Sequence, residues 1–155
     1  MAAGLSWRPY KARPAASEPV GRRFEVGTAP YELLAGFSAT IAYLDSIGAM
    51  EAIAAYEREL GQRFLGGLPG SATVYGLQTM EGRVATFLLN LEGVDAVDAA
   101  KRLADDGFGV WAHDNWFSLG LRDKLPYPDS AIRVGLIHYN TEDEIDRFNA
   151  ALARL

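Results

Sequence analysis

The order of hydrophobic periodicities predicts an α+β layer, with helices packed on one face of a small, mainly antiparallel sheet. Three observations carry this expectation. Apolar residues recur at helical spacing from Leu33 to Phe64. Two segments of strand-like composition follow, joined by the tight turn Glu81-Gly82. A helix-capping signature then precedes the last apolar stripe.

Each element follows in order. Residues 1–29 read as an extended, proline-rich connector arm, with Pro9, Pro14 and Pro19 opposing regular structure. Leu33, Leu34, Phe37, Ile41, Leu44 and Ile47 form a helical stripe. Gly48 interrupts it, and Met50, Ile53, Ala54, Leu60 and Phe64 resume it. The pattern is that of two helices, or one long helix kinked near Gly48. Gly66, Gly67, Pro69 and Gly70 end it.

Residues 72–78 and 83–91 read as strands, the second with Ala85, Phe87, Leu89 and Leu91 on one parity. Residues 94–106 read as a helix with Val97, Ala100, Leu103 and Ala104 turned inward. A strand through Val110 and Trp111 follows Gly107-Phe108-Gly109, with another short strand expected over 116–119. A loop then carries Lys124, Pro126, Pro128 and Asp129. Residues 131–138 are the clearest remaining strand. Thr141 and Glu144 form a capping box, and Ile145, Phe148, Leu152 and Leu155 supply the last helix's buried stripe.

Composition narrows the function classes. At 155 residues, one domain with a real core is the default expectation. The net charge of −5, with both signs spread along the chain, opposes nonspecific nucleic-acid binding, which needs a basic patch. No apolar run approaches the ~18–20 residues that span a bilayer, so no membrane partner is expected. The absence of cysteine leaves the chain no disulfide, thiolate metal site or cysteine nucleophile and fits a cytoplasmic protein. Arg8, Lys11 and Arg13 with no acid among the first seventeen residues faintly suggest a transit peptide. A connector fits better, because no continuous apolar segment follows.

Two strings invite a functional reading. RFEVGT, from Arg23 to Thr28, precedes the first helix. Thr28 or Ala29 suits a helix cap and Pro30 the first turn, while Gly27 permits close backbone approach. The same glycine–threonine step can also donate to a phosphate. IRVGLIHYNT runs from Ile132 to Thr141 and places Arg133 among apolar neighbours. On a strand Arg133 would share its face with Gly135, Ile137 and Tyr139. An arginine there needs a carboxylate, a phosphate or water. An edge-strand arginine paired with a nearby acid satisfies that need, and so does a bound anion. Thr141 is explained by the capping box, and Asn140 suits the turn before it.

Other residues carry less. His113 and His138 have no metal-ligand spacing around them, and no metal site is expected. His113-Asp114 offers only a weak suggestion of acid–base chemistry. Glu51, Glu57, Glu59, Asp105 and Asp106 read as solvated helix faces rather than a catalytic pair. Trp111 and Trp116 read as packing residues. No Gly-rich string has a nucleotide-binding pattern, and Gly66 to Gly70 is a turn.

In this order, the two strings resemble the C-terminal part of class V aminotransferases, in the cysteine desulfurase-like branch of pyridoxal phosphate (PLP) enzymes. The resemblance covers the chain from about Tyr10 onward. It implies a fold-type I dimer in which residues 30–48 form a helix packing on a large domain absent from this sequence. Residues 49–155 would form the small C-terminal α+β domain. It implies that Thr28 reaches the PLP phosphate of the neighbouring subunit. Arg133, in a string resembling V-R-x-S/G-x-x-x-Y-N-T, would grip the carboxylate of an amino-acid-like substrate, a task suited to a guanidinium fork.

The departures are equally specific. The family's cofactor lysine stands in a motif resembling S-x-H-K. Lys11, Lys101 and Lys124 have no such context. No residue is assigned a catalytic role, and the chain alone is expected to bind PLP poorly and to be inactive. The string VWAHDNWFSLGL, from Val110 to Leu121, aligns with a family stretch resembling V-R-x-G-x-x-C. Trp111 takes the arginine's place and no cysteine follows. Persulfide chemistry needs a thiolate, which this chain lacks. The alternative is a stand-alone, non-catalytic interaction module or gene remnant that associates with a partner. In that case Leu33, Phe37, Ile41 and Leu44 would form an exposed apolar patch.

Overall fold

A computed structural model of the chain describes residues 27–114 and 130–155. Most of the connector arm, including Arg23, Glu25 and Lys11, lies outside the described residues. So do Trp116, the strand expected over 116–119, the loop with Lys124, and the side chains of His113 and Asp114.

The chain divides into two units, residues 1–46 and 47–155. In the first, α1 spans Tyr31–Ser46. Its N-terminal carbonyls belong to Ala29 and Pro30, which accept from Tyr31 N (2.9 Å) and Leu34 N (3.1 Å). Pro30 therefore stands at the cap itself, one position before the first turn where the sequence placed it. Leu33, Leu34, Phe37 and Ile41 are exposed, and α1 buries none of its residues.

The second unit holds the core. Its first helix, α2, spans Ala49–Gly66. Gly48 has φ 102°, a left-handed conformation that suits glycine and marks the expected break. The helix ends at Gly67, whose N–H donates to the carbonyls of Arg63 and Phe64. A Cβ on Gly67 would fall 2.3 Å from Nδ2 of Asn149, so this cap is also a site of close packing.

β1 (Ala72–Tyr75), β2 (Thr86–Leu91), β3 (Trp111–Asp114) and β4 (Ser130–Gly135) form one sheet in the order β1-β2-β4-β3. Every neighbouring pair is antiparallel. β1 and β2 are shorter than the sequence suggests. Gly76 (φ 92°) turns the chain out of β1. Arg83 folds its guanidinium onto the carbonyls of Leu77 and Thr86, so residues 83–85 close a turn instead of extending β2. β4 stops at Gly135 because Asn140 takes over beyond it. The Asn140 side chain accepts from Ile137 N (2.9 Å), and its backbone N–H donates to Ile137 O (2.9 Å). Asn140 thus fixes the turn as expected.

α3 spans Ala96–Asp105, capped by Asp95, which accepts from Val97 N and Asp98 N. Its inward face is Ala96, Ala99 and Leu103, which corrects the sequence reading. Only Leu103 is shared; Val97 and Ala104 are exposed. Two alanines let the helix lie close to the sheet, and the larger Val97 stays exposed.

α4 spans Glu142–Leu152 and carries the expected capping box between Thr141 and Glu144. Ile145, Phe148 and Leu152 are buried, and Leu155 lies beyond the helix end, half-buried. α2, α3 and α4 cover one face of the sheet. Leu60, Phe64, Leu103, Phe148 and Leu152 from the helices meet Phe87, Leu89, Ile132 and Val134 from the strands. The Phe64 and Phe87 rings lie 4.5 Å apart at the centre. This is the helix-backed antiparallel sheet the sequence predicted.

Candidate carboxylate-binding face

Strand parity decides what the opposite face carries. Residues facing each other across antiparallel strands share a face. Leu89 opposes Ile132 and Phe87 opposes Val134, all in the core. The intervening row therefore points away from the helices: Tyr75 opposite Leu88, Leu88 opposite Arg133, and Arg133 opposite Trp111.

Arg133 and Trp111 are both exposed there, Trp111 at 57%. They line an open depression of about 570 Å³ with Thr86, Gly109, Val110 and Gly135. Gly135 follows Arg133 by two residues on the same strand face. A Cβ built on Gly135 or on Gly109 meets no heavy atom within 4 Å, so both leave clear space over the backbone. Glycine inside a strand often marks close approach of a ligand or another backbone.

The structure corrects the edge-strand placement expected for Arg133. β4 lies between β2 and β3, so Arg133 is not on an edge strand. Among the described residues, no acid forms an ion pair with it. The strand ends at Gly135, so Ile137 and Tyr139 do not extend its face.

Thr28 belongs to the N-terminal unit and is exposed just before α1. The first backbone hydrogen bonds of α1 run to the carbonyls of Ala29 and Pro30. His138 is half-buried and packs edge-to-face on Tyr139, with centroids 5.4 Å apart. Among the described residues, no group of three His, Asp or Glu side chains is placed to hold a metal ion.

The described lysine does not suit imine chemistry. Lys101 is exposed on α3 and bound to Asp98 at 2.9 Å. That hydrogen bond and the Asp98 charge raise its pKa and hold it as ammonium. A Schiff-base lysine needs the opposite shift.

The sequence did not reveal the company Arg133 keeps. Trp111, Thr86, Gly109 and Gly135 meet it only through the register of three strands, and no local spacing encodes that register. The Gly135 two residues after Arg133 was the one available signal.

Comparisons agree with the architecture. The helix-backed antiparallel sheet is a layer shared with fold-type I PLP enzymes. The chain belongs to the class V aminotransferase family, whose profile matches residues 10–148. It is 35% identical to "Probable cysteine desulfurase 2" of Mycobacterium leprae over 138 residues, covering 88% of this chain and 32% of that protein. A "Probable cysteine desulfurase" of Pseudomonas putida is 36% identical, covering 89% of this chain and 33% of the relative. The apo cysteine desulfurase of Thermococcus onnurineus superposes with a TM-score of 0.77 at 26% identity, over 85% of this chain and 32% of that one. The chain thus spans about a third of the length of these relatives.

Proposed function

We propose that this chain supplies the substrate-carboxylate contact of a class V aminotransferase-like PLP enzyme whose remaining parts lie outside these 155 residues. One observation carries the reading: Arg133 stands exposed on the sheet face away from the helices, with no acid paired to it among the described residues. A planar guanidinium with free donors suits a carboxylate, which it can hold through two parallel hydrogen bonds. Family membership supports the same role.

In this reading α1 packs on a large domain and residues 49–155 form the small one. Thr28 donates to the cofactor phosphate of the neighbouring subunit in a cytoplasmic dimer. PLP, when held by the complete enzyme, supplies the electron sink for chemistry at an amino-acid substrate. This chain contributes orientation of that substrate and no reacting group of its own. The lysine belongs elsewhere, and the chain alone is inactive. Without a cysteine in the stretch 110–121, the reaction is not persulfide formation on this chain.

A second reading rests on α1. Its exposed Leu33, Phe37 and Ile41 suit a non-catalytic module that associates with a partner. Concentration-dependent self-association in sedimentation would favour it, and a clean monomer at high concentration would oppose it.

The test of the carboxylate role is a titration of the full chain with sodium propionate, read at the arginine side-chain Nε–H signals by NMR. The Arg133 signal, assigned by its loss in Arg133→Lys, should shift and saturate. An Arg133 signal that moves no more than those of other exposed arginines rejects the role.

A further inference from the structure

The helix side of the sheet holds a cavity that the carboxylate role of Arg133 leaves unused. α3 ends in a Schellman turn, in which Gly107 N (φ 88°) donates to Ala104 O at 3.0 Å and Phe108 N to Leu103 O at 2.8 Å. The turn sets Phe108 edge-on to Phe148 of α4, with ring centroids 5.2 Å apart. The β3–β4 ladder reaches only to Trp111 opposite Arg133, so residues 107–110 lie beyond its last pair. A cavity of about 300 Å³ lies between this segment, the end of β4 and the first turns of α4. Phe108, Leu136, Ile145 and Phe148 give it an apolar wall.

Two opposite charges stand at its rim. Glu144 and Arg147 both line the cavity, and their spacing of three residues puts them on one side of α4. Each is oriented by a different neighbour. Glu144 Oε2 accepts from Thr141 N at 2.8 Å and from Asn140 Nδ2 at 3.4 Å. Arg147 Nε donates to Asp143 Oδ2 at 3.0 Å, and its guanidinium carbon lies 5.8 Å from the centre of the Phe108 ring. These contacts use one oxygen of the carboxylate and one nitrogen of the guanidinium. Glu144 Oε1 can still accept, and the two Nη groups of Arg147 can still donate.

A ligand matched to this arrangement carries three groups. An ammonium donates to Glu144 Oε1, and a carboxylate accepts from the Arg147 Nη groups. An apolar group desolvates against Phe108, Ile145 and Phe148. A free α-amino acid joins all three at a single carbon. We propose that this cavity binds free α-amino acids with apolar side chains. Glu144 and Arg147 hold the zwitterion, and the aromatic wall holds the side chain. The inference makes no use of Arg133, which stands on the other face of the sheet.

The experiment titrates the full chain with L-leucine. It reads the backbone amides of Gly107 and Ile145 by NMR, and NOEs from the leucine methyls to the Phe108 and Phe148 rings. The titration is repeated on Arg133→Ala, so that leucine held by its carboxylate at Arg133 is told apart. The expected result is a saturable shift at both amides with NOEs to both rings, the same in the variant. 4-Methylpentanoate, which lacks the ammonium, and L-leucinamide, which lacks the carboxylate, should each bind about tenfold more weakly. Glu144→Gln retains a side chain suited to the capping box and should abolish the preference for leucine over 4-methylpentanoate. A preference that survives Glu144→Gln would overturn the role of Glu144. Equal affinities for the three compounds would overturn the amino-acid class. Shifts that vanish in Arg133→Ala, or no saturable shift at all, would overturn the site and leave the carboxylate role of Arg133 to its own test.

Discussion

Trp111 and Arg133 stand directly opposite each other across the antiparallel β3–β4 pair, both exposed on the face away from the three packed helices. Neither contributes to the core, which occupies the other face. Core residues and residues of the opposite face are thus separated by the two-residue period of a strand.

Arg133 should therefore be dispensable for folding. Arg133→Ala is expected to change stability by no more than about 0.5 kcal/mol, as for other exposed positions without a partner. Urea denaturation of the variant and the parent checks this. A loss of several kcal/mol would mean that Arg133 has a structural partner.

Phe64 is the opposite case. It is fully buried, 4.5 Å from the Phe87 ring and 6.1 Å from the Phe148 ring. Phe64→Ala should cost about 3–5 kcal/mol through lost transfer energy and a residual cavity. The same denaturation series reads it, with a lower midpoint and an unchanged slope.

The capping box of α4 should be measurable by itself. Thr141 accepts from Glu144 N at 3.2 Å, and Glu144 accepts from Thr141 N at 2.8 Å. Thr141→Ala should cost about 0.5–2 kcal/mol. Thr141→Ser should recover most of it, which a loss of mere side-chain bulk would not allow.

Acid should weaken the α2–α4 contact. Arg63 donates from Nε and Nη2 to both oxygens of Asp146, at 2.7 and 2.6 Å, and from Nη1 to Glu142 at 2.7 Å. The Arg63 hydrogen bonds lower the Asp146 pKa. The Thr141 backbone hydrogen bond, followed by that from Asn140, lowers that of Glu144. A carboxylate depressed in the folded state contributes stability above its unfolded pKa, about 3.9 for Asp and 4.3 for Glu. That contribution is lost as pH falls through the lower folded value. Melting temperature measured from pH 7 to pH 2 should fall below about pH 4. Asp146→Asn should flatten part of that fall, and high salt should shrink the difference because these groups are exposed. An Asp146→Asn profile parallel to the parent's would contradict the assignment.

The chain alone should not capture PLP. Lys101 is held as ammonium by Asp98. Incubation with PLP followed by borohydride should leave no stoichiometric adduct, as read by mass spectrometry. A single borohydride-stable adduct at one lysine would show that these 155 residues contain a cofactor site.

Much of the fold was legible because its signals are local. The Thr141–Glu144 box, the glycine stop after α2 and the break at Gly48 each depend on residues a few positions apart. The phase of α3 was not legible. Val97 and Ala96 compete for the inward direction, and the tight approach that two alanines permit is a tertiary fact. The strand ends were overrun for a similar reason. Arg83 and Asn140 satisfy carbonyls and amides through side chains, which hydrophobic alternation does not register. Arg133 was singled out by its string. Its pairing with Trp111 required the register, which depends on residues more than twenty positions apart.

The central claim is that Arg133 serves a PLP enzyme completed by residues outside this sequence. Sequencing the transcript upstream of the Met1 codon tests it most directly. The account predicts an in-frame extension encoding a large domain with a lysine in an S-x-H-K-like setting. An in-frame stop codon shortly upstream, with no such extension, would contradict it and leave the partner-binding reading of α1 in its place.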